Sequence, residues 1–317
     1  MERKNAWKTY TDADLEELEA LAADYIDFIS DNKTERECAA AAIALAEQAG
    51  YVALDTCIEE GRTLKSGDKV WAHTHGKALV LVHLGTEPIE AGLNILGAHI
   101  DSPRLDIKQN PLFESEDFAL LDTHYYGGIK KYQWVTIPLA LHGVVAKTDG
   151  SVVDVVIGED EADPVFCITD LLPHLGQEQM KKTADKVVEG EALDVLVGGR
   201  PLVIEGADAP DYKPAADAPE HVKLAAKSPV AAMCVKLLAD KYGISEEDFL
   251  SAELEVVPAG RARELGFDRS MVLGYGQDDR VCAYAELAAI LETEAPERTA
   301  VCILADKEEI GSDGVTG

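Results

Sequence analysis

Residues 93–103 read Leu-Asn-Ile-Leu-Gly-Ala-His-Ile-Asp-Ser-Pro, and this stretch decides the fold. An apolar run with Gly92 before it and Pro103 behind it reads as a strand. It closes on His99 and Asp101, whose spacing of two turns both side chains to one face. Open α/β sheets bind their ligands at strand exits of this kind. Asp101 is placed to accept the second N–H of His99, which fixes the imidazole tautomer and raises its basicity toward a metal. A His-x-Asp pair alone is most often only a hydrogen-bonded pair at a strand end, so the reading depends on the rest of the chain.

Upstream, Thr11 reads as the N-cap of an amphipathic helix carrying Leu15, Leu18, Leu21 and Ile26. Thr34 and Glu37 have capping-box spacing and open an alanine-rich helix that Gly50 stops. Residues 69–71 and 78–84 read as strands, with 85–88 a turn. Downstream of Pro111 the texture becomes mainly β, with strand-like runs at 134–141, 144–146 and 152–157. An Ala/Pro/Asp-rich loop follows at 206–219, then a helix opening at Ser228-Pro229 and running to about Tyr242. Residues 253–257 return to strand, 280–292 to helix and 300–304 to strand. The expectation is an α/β domain formed by residues 1–107 and 251–317, interrupted by a mainly β insertion at 108–250.

The 47% hydrophobic content of 317 residues is enough for buried cores in two such domains. A net charge of −30 argues against nucleic acid or anionic membrane as a partner. No apolar run reaches the ~20 residues of a membrane helix, and the polar N-terminus lacks a signal-peptide core. Six scattered cysteines without a CxxC pair suggest neither a structural zinc knot nor a redox motif, and fit a reducing cytoplasm.

Two further segments carry chemistry. Gly274-Tyr-Gly-Gln-Asp-Asp-Arg280 leads into a helix, and Asp306-Lys-Glu-Glu-Ile-Gly-Ser312 leaves a strand. Carboxylates at a helix start are ordinarily caps, and adjacent acids in a loop are ordinarily solvated charge. Taken together with His99 they supply mixed nitrogen and oxygen donors, which suit zinc, cobalt or manganese.

These segments resemble the M18 metallopeptidases, the aspartyl aminopeptidases, most closely in their bacterial branch. The resemblance rests on AHIDSPRLDIK (98–108), THYYGGIKKYQW (123–134), LLPHLGQEQ (171–179), GYGQDDRVCAYAEL (274–287) and DKEEIGS (306–312). It implies a zinc-peptidase-like α/β/α domain, with the insertion mediating dimerisation within a larger homo-oligomer. It implies two divalent ions, zinc foremost, with His99 a ligand, Asp101 the acid orienting it, Asp278 the bridging carboxylate and Glu309 a ligand. Glu308 is then the general base in removing N-terminal, acidic residues from peptide substrates. His174 matches a histidine that contacts substrate in a neighbouring subunit's site. Tyr126, Gly127, Gly128 and Trp134 fall in a block near the active site.

The family's remaining ligands, an Asp and a His, belong to the C-terminal part of the peptidase domain, and nothing here follows Gly317. The expectation is that this part is absent and that the 317 residues alone bind metal weakly and hydrolyse little. The competing readings are a non-catalytic assembly subunit and a related two-metal hydrolase of the M42 or M20 type. The 124–134 block and the long insertion favour M18.

Overall fold

The structure is a computed structural model that describes residues 4–206 and 213–317. The chain forms two compact units, Met1–Ser102 with Arg261–Gly317, and Pro103–Gly260.

In the first unit the starts of the first two α-helices follow from capping. The Thr11 hydroxyl accepts the Asp14 amide while the Asp14 carboxylate accepts the Thr11 amide, opening helix Asp12–Asp31. Thr34 and Glu37 do the same for helix Glu35–Gln48. Each box satisfies N–H groups that a helix otherwise leaves orphaned. Phe28, Ile29, Cys38 and Ala42 of these helices share one core with Leu79, Leu81, Ile100 and Leu304 of the sheet region and with Ala283, Leu287 and Ile290 of helix Gln277–Glu292.

The sheet order is Val52–Ala53, Lys69–Thr74, Ala78–His83, Ala300–Ala305, Asn94–His99. Strand Ala300–Ala305 runs antiparallel to Ala78–His83 and parallel to Asn94–His99, with Ala305 opposite His99. That parallel pair decides where chemistry can occur. It delivers the ends of two strands distant in sequence, and the turn after Ala305, to one end of the sheet.

Strand Asn94–His99 is the outer member. The amides of Asn94 and Ile100 donate inward to the carbonyls of Thr299 and Ala305. The alternation of the ladder therefore turns the backbone groups of residues 95, 97 and 99 outward, and Ile95 and Leu96 are exposed.

The second unit is an antiparallel six-stranded sheet in the order Val152–Ile157, Leu139–Ala146, Ala252–Pro258, Arg104–Ser115, Phe118–Tyr126, Val195–Gly198. Helix Pro229–Tyr242 buries Val230, Ala231, Ala232 and Val235, and the Glu114 carboxylate accepts its Val230 and Ala231 amides. Helix Glu220–Ala225 precedes it, and residues 207–212 of the expected 206–219 loop lie outside the described residues.

The unit is wider than the sequence suggests. Arg104–Ser115 is a single strand through Pro111, which is accommodated where the register shifts between Ile107 and Leu112. At the other end, Ala252–Pro258 pairs with both Arg104–Ser115 and Leu139–Ala146 and so belongs to this sheet. The runs at 134–141 and 144–146 are also revised, because a 3-10 turn at Lys131–Gln133 comes first and one strand then spans Leu139–Ala146. Gly143 reads as a break, yet it pairs within the ladder at φ 140, and a Cβ there would lie 1.9 Å from the Glu253 carbonyl oxygen. Close strand approach, not a turn, requires that glycine. No helix among the described residues is long and apolar enough to cross a membrane.

Candidate metal centre

His99 ends its strand almost fully buried. Its Nδ1–H donates to the Asp101 carbonyl oxygen at 2.9 Å, with the Asp101 carboxylate 3.3 Å away. A protonated Nδ1 leaves the lone pair on Nε2. Nε2 faces Asp278 Oδ1 at 3.3 Å and Glu308 Oε2 at 3.6 Å.

The Asp101 carboxylate has a second task. Fully buried, it accepts the amides of Glu308 at 3.3 Å and Glu309 at 3.2 Å, so one side chain fixes both the imidazole and the glutamate turn. His99, Glu308 and Glu309 can each offer a donor atom within 4.8 Å of the others.

Asp278 lies at the start of helix Gln277–Glu292 but has non-helical backbone angles, and its peptide to Asp279 is cis. Its carbonyl accepts the Ser102 hydroxyl at 3.2 Å. The Asp278 and Glu308 side chains are 89% and 62% exposed, so an ion or substrate can reach them.

The electrostatics match a cation site. Burial alone would lower the His99 pKa, but the Asp101 carbonyl and the charges of Asp101 and Glu308 outweigh it, and the pKa is raised. Burial raises the Glu309 pKa, and the charges of Asp101, Asp278 and Glu308 add to the rise against the pull of His99. Carboxylates gathered around an imidazole lone pair suit a divalent ion with nitrogen and oxygen ligands, zinc among them. The residues present therefore fit such an ion.

Arg280 was not singled out from the sequence. Its side chain is fully buried and donates to three carbonyls: Ile100 at 2.9 Å, Asn32 at 3.2 Å and Lys33 at 2.8 Å. It ties the helix that starts beside Asp278 to the peptide between His99 and Asp101. The available signal was its place at helical spacing with buried Ala283, Leu287 and Ile290. Gly276 leaves room for it at φ 82, since a Cβ there would lie 2.6 Å from Arg280 Nη1.

Glu286, on the same buried stripe, has its pKa pushed up to about 7 by burial, partly offset by hydrogen bonds from Cys302 and the Ala98 backbone. A carboxylate with a raised folded pKa imposes no cost below its unfolded value near 4.5, and a growing one as pH rises to about 7. Glu286→Gln is therefore expected to match the parent chain near pH 4.5 and to exceed its stability by roughly 3 kcal/mol at pH 8, as read by urea unfolding. Equal stabilities at both pH values would refute this.

His174 belongs to the second unit, where it stands exposed within the turn at 172–175. In the same unit Tyr126 ends strand Phe118–Tyr126, and both Tyr126 and Trp134 are buried.

An imidazole nitrogen and glutamates at the ends of two parallel strands make an α/β unit whose sheet end could hold a metal ion. The model of the M18 family, described as aminopeptidase I zinc metalloprotease, matches residues 28–317, and the chain belongs to that family. A probable M18 family aminopeptidase 1 of Clostridium acetobutylicum is 54% identical over 316 residues, covering 100% of this chain and 64% of the relative. The crystal structure of an M18-family aminopeptidase from Thermotoga maritima superposes with a TM-score of 0.86 at 43% identity, over 100% of this chain and 64% of that one. A yeast mApe1 dodecamer shares the fold, with a TM-score of 0.69 at 18% identity over 95% of this chain and 64% of that one. The 317 residues thus span just under two thirds of the length of these relatives.

Proposed function

We propose that the chain supplies the catalytic half-site of a zinc-dependent aminopeptidase that removes N-terminal residues, acidic ones by preference, from peptides. The observation that carries this is the Asp101 clamp, which holds Glu308 beside the free Nε2 of His99.

His99, Asp278 and Glu309 would hold the metal, the bridging role of Asp278 resting on family membership. When bound, the metal supplies Lewis acidity and lowers the pKa of a coordinated water from about 15.7 toward ~7. Glu308 takes the proton of the attacking water and returns it to the leaving amine, so the base is regenerated with each turnover. Its exposure leaves room for the scissile peptide, and burial together with the surrounding carboxylates raises the pKa of neighbouring Glu309.

The preference for acidic N-termini, and separately the reach of His174 toward a neighbouring subunit's substrate site, rest on family membership. So do a cytoplasmic location and assembly into a homo-oligomer through the insertion, for which the yeast dodecamer is the precedent. A second reading, a non-catalytic assembly subunit, is favoured by the small donor set. Among the described residues, the three ligands His99, Asp278 and Glu309 are too few to close two tetrahedral sites.

Zinc analysis of the purified chain, combined with hydrolysis of aspartyl, glutamyl and leucyl chromogenic amides, separates the readings. Zinc-dependent hydrolysis that Glu308→Gln abolishes supports the aminopeptidase. Two zinc ions per chain without hydrolysis would overturn it, and a zinc-free oligomer would establish the assembly role.

A further inference from the structure

We propose that Glu35 is a positioning residue for the Glu308–Glu309 turn and acts through Lys307. The proposal rests on reading that turn as part of the metal centre. Glu35 opens helix Glu35–Gln48 and is fully buried. Acids in a first helical turn are usually explained by capping or the helix dipole. Here Thr34 and Glu37 already form a complete capping box, so the helix end is satisfied without Glu35.

The Glu35 carboxylate instead meets two lysines, Lys77 Nζ at 3.0 Å and Lys307 Nζ at 3.6 Å. Lys307 immediately precedes the turn Glu308–Ile310 and sits in the left-handed region at φ 70, which a non-glycine side chain adopts only when its surroundings impose it. Its ammonium also lies 3.1 Å from the buried Asp306 carboxylate. The turn is thereby held from two sides. Asp101 takes the amides of Glu308 and Glu309, and Glu35 takes the lysine before them. Buried ion pairs add little net stability, because desolvation offsets their attraction. Their value at this place is to fix one arrangement of the turn.

The test is zinc affinity, measured by competition with a chromophoric chelator, alongside the melting temperature of the zinc-free chain. Glu35→Gln is expected to weaken zinc binding about tenfold or more, the scale of losing an outer-shell partner. Lys77→Met removes the other arm of the same carboxylate. It should lower the melting temperature yet keep zinc affinity within about threefold of the parent. In a Lys307→Met background Glu35→Gln should weaken zinc no further, because its route is already cut.

Parent-like zinc affinity in Glu35→Gln would overturn the proposal, as would full additivity with Lys307→Met. Should two lysines facing a neutral amide prevent folding, Glu35→Gln/Lys77→Met removes one of them. The same loss is then expected relative to Lys77→Met, and its absence counts against the proposal. Failure of the parent chain to bind zinc would defeat the metal-centre reading itself, a result distinguishable from all of these.

Discussion

His99→Ala is expected to lower zinc affinity by a few hundredfold, and Asp101→Asn by about 10- to 100-fold. The first figure is taken from complete structural zinc sites, where roughly 10–16 kcal/mol of apparent binding is shared by four ligands, or about 3 kcal/mol for each. The second is the usual cost of losing the partner that orients a ligand. Asn is isosteric with Asp, so the loss would come from hydrogen-bond sense and from the missing negative charge beside His99 and not from shape. The Asp101 carboxylate accepts two backbone amides, whereas Asn has a single acceptor oxygen and would turn its NH2 toward one of those N–H groups.

The pH dependence has a definite sign. Zinc requires an unprotonated Nε2, and the His99 pKa is raised, so protons compete with the metal to a higher pH than at a free imidazole. The raised pKa of Glu309 acts in the same direction. Affinity should therefore climb from pH 6 to pH 8. Calorimetric titrations at pH 6, 7 and 8 that gave equal affinities would refute the assignment of His99, as would unchanged binding in His99→Ala.

Much of this centre is legible in the amino-acid order. The spacing of His99 and Asp101 is a local fact, and so are the caps at Thr11 and Thr34 that begin the helices. Adjacent acids at 278–279 and 308–309 are visible too, although their roles came from resemblance to a family and not from spacing. What the order does not display is anything made by distant segments meeting. Asp101 accepting the amides of Glu308 and Glu309 requires the parallel pairing that sets Ala305 opposite His99. Glu35 reaches Lys307 across most of the chain, and nothing near either residue announces it. The width of the second unit was hidden for a different reason. Pro111 looks like a strand breaker but lies at a register shift within one strand, and Gly143 looks like a turn but allows two strands to approach.

Arg280 offers the strongest test of how the scaffold holds the centre. Arg280→Met should destabilise the chain by about 3–5 kcal/mol, although methionine fills much of the same volume. The loss would be polar. Three charge-assisted hydrogen bonds disappear, and the carbonyls of Ile100, Asn32 and Lys33 lose a donor in a place where arginine is fully buried. Arg280→Lys keeps the charge, but a single ammonium cannot match a planar fork serving three carbonyls from three nitrogens, so about half the loss is expected. Ile100 lies between His99 and Asp101, and Asp278 lies two residues before Arg280, so both variants should also weaken zinc binding. The order of effect, Met greater than Lys in stability and in zinc affinity alike, is the signature of one clamp serving both. Urea unfolding and chelator competition on the same preparations would read it, and a Met variant within about 1 kcal/mol of the parent would show that the carbonyls are satisfied in some other way.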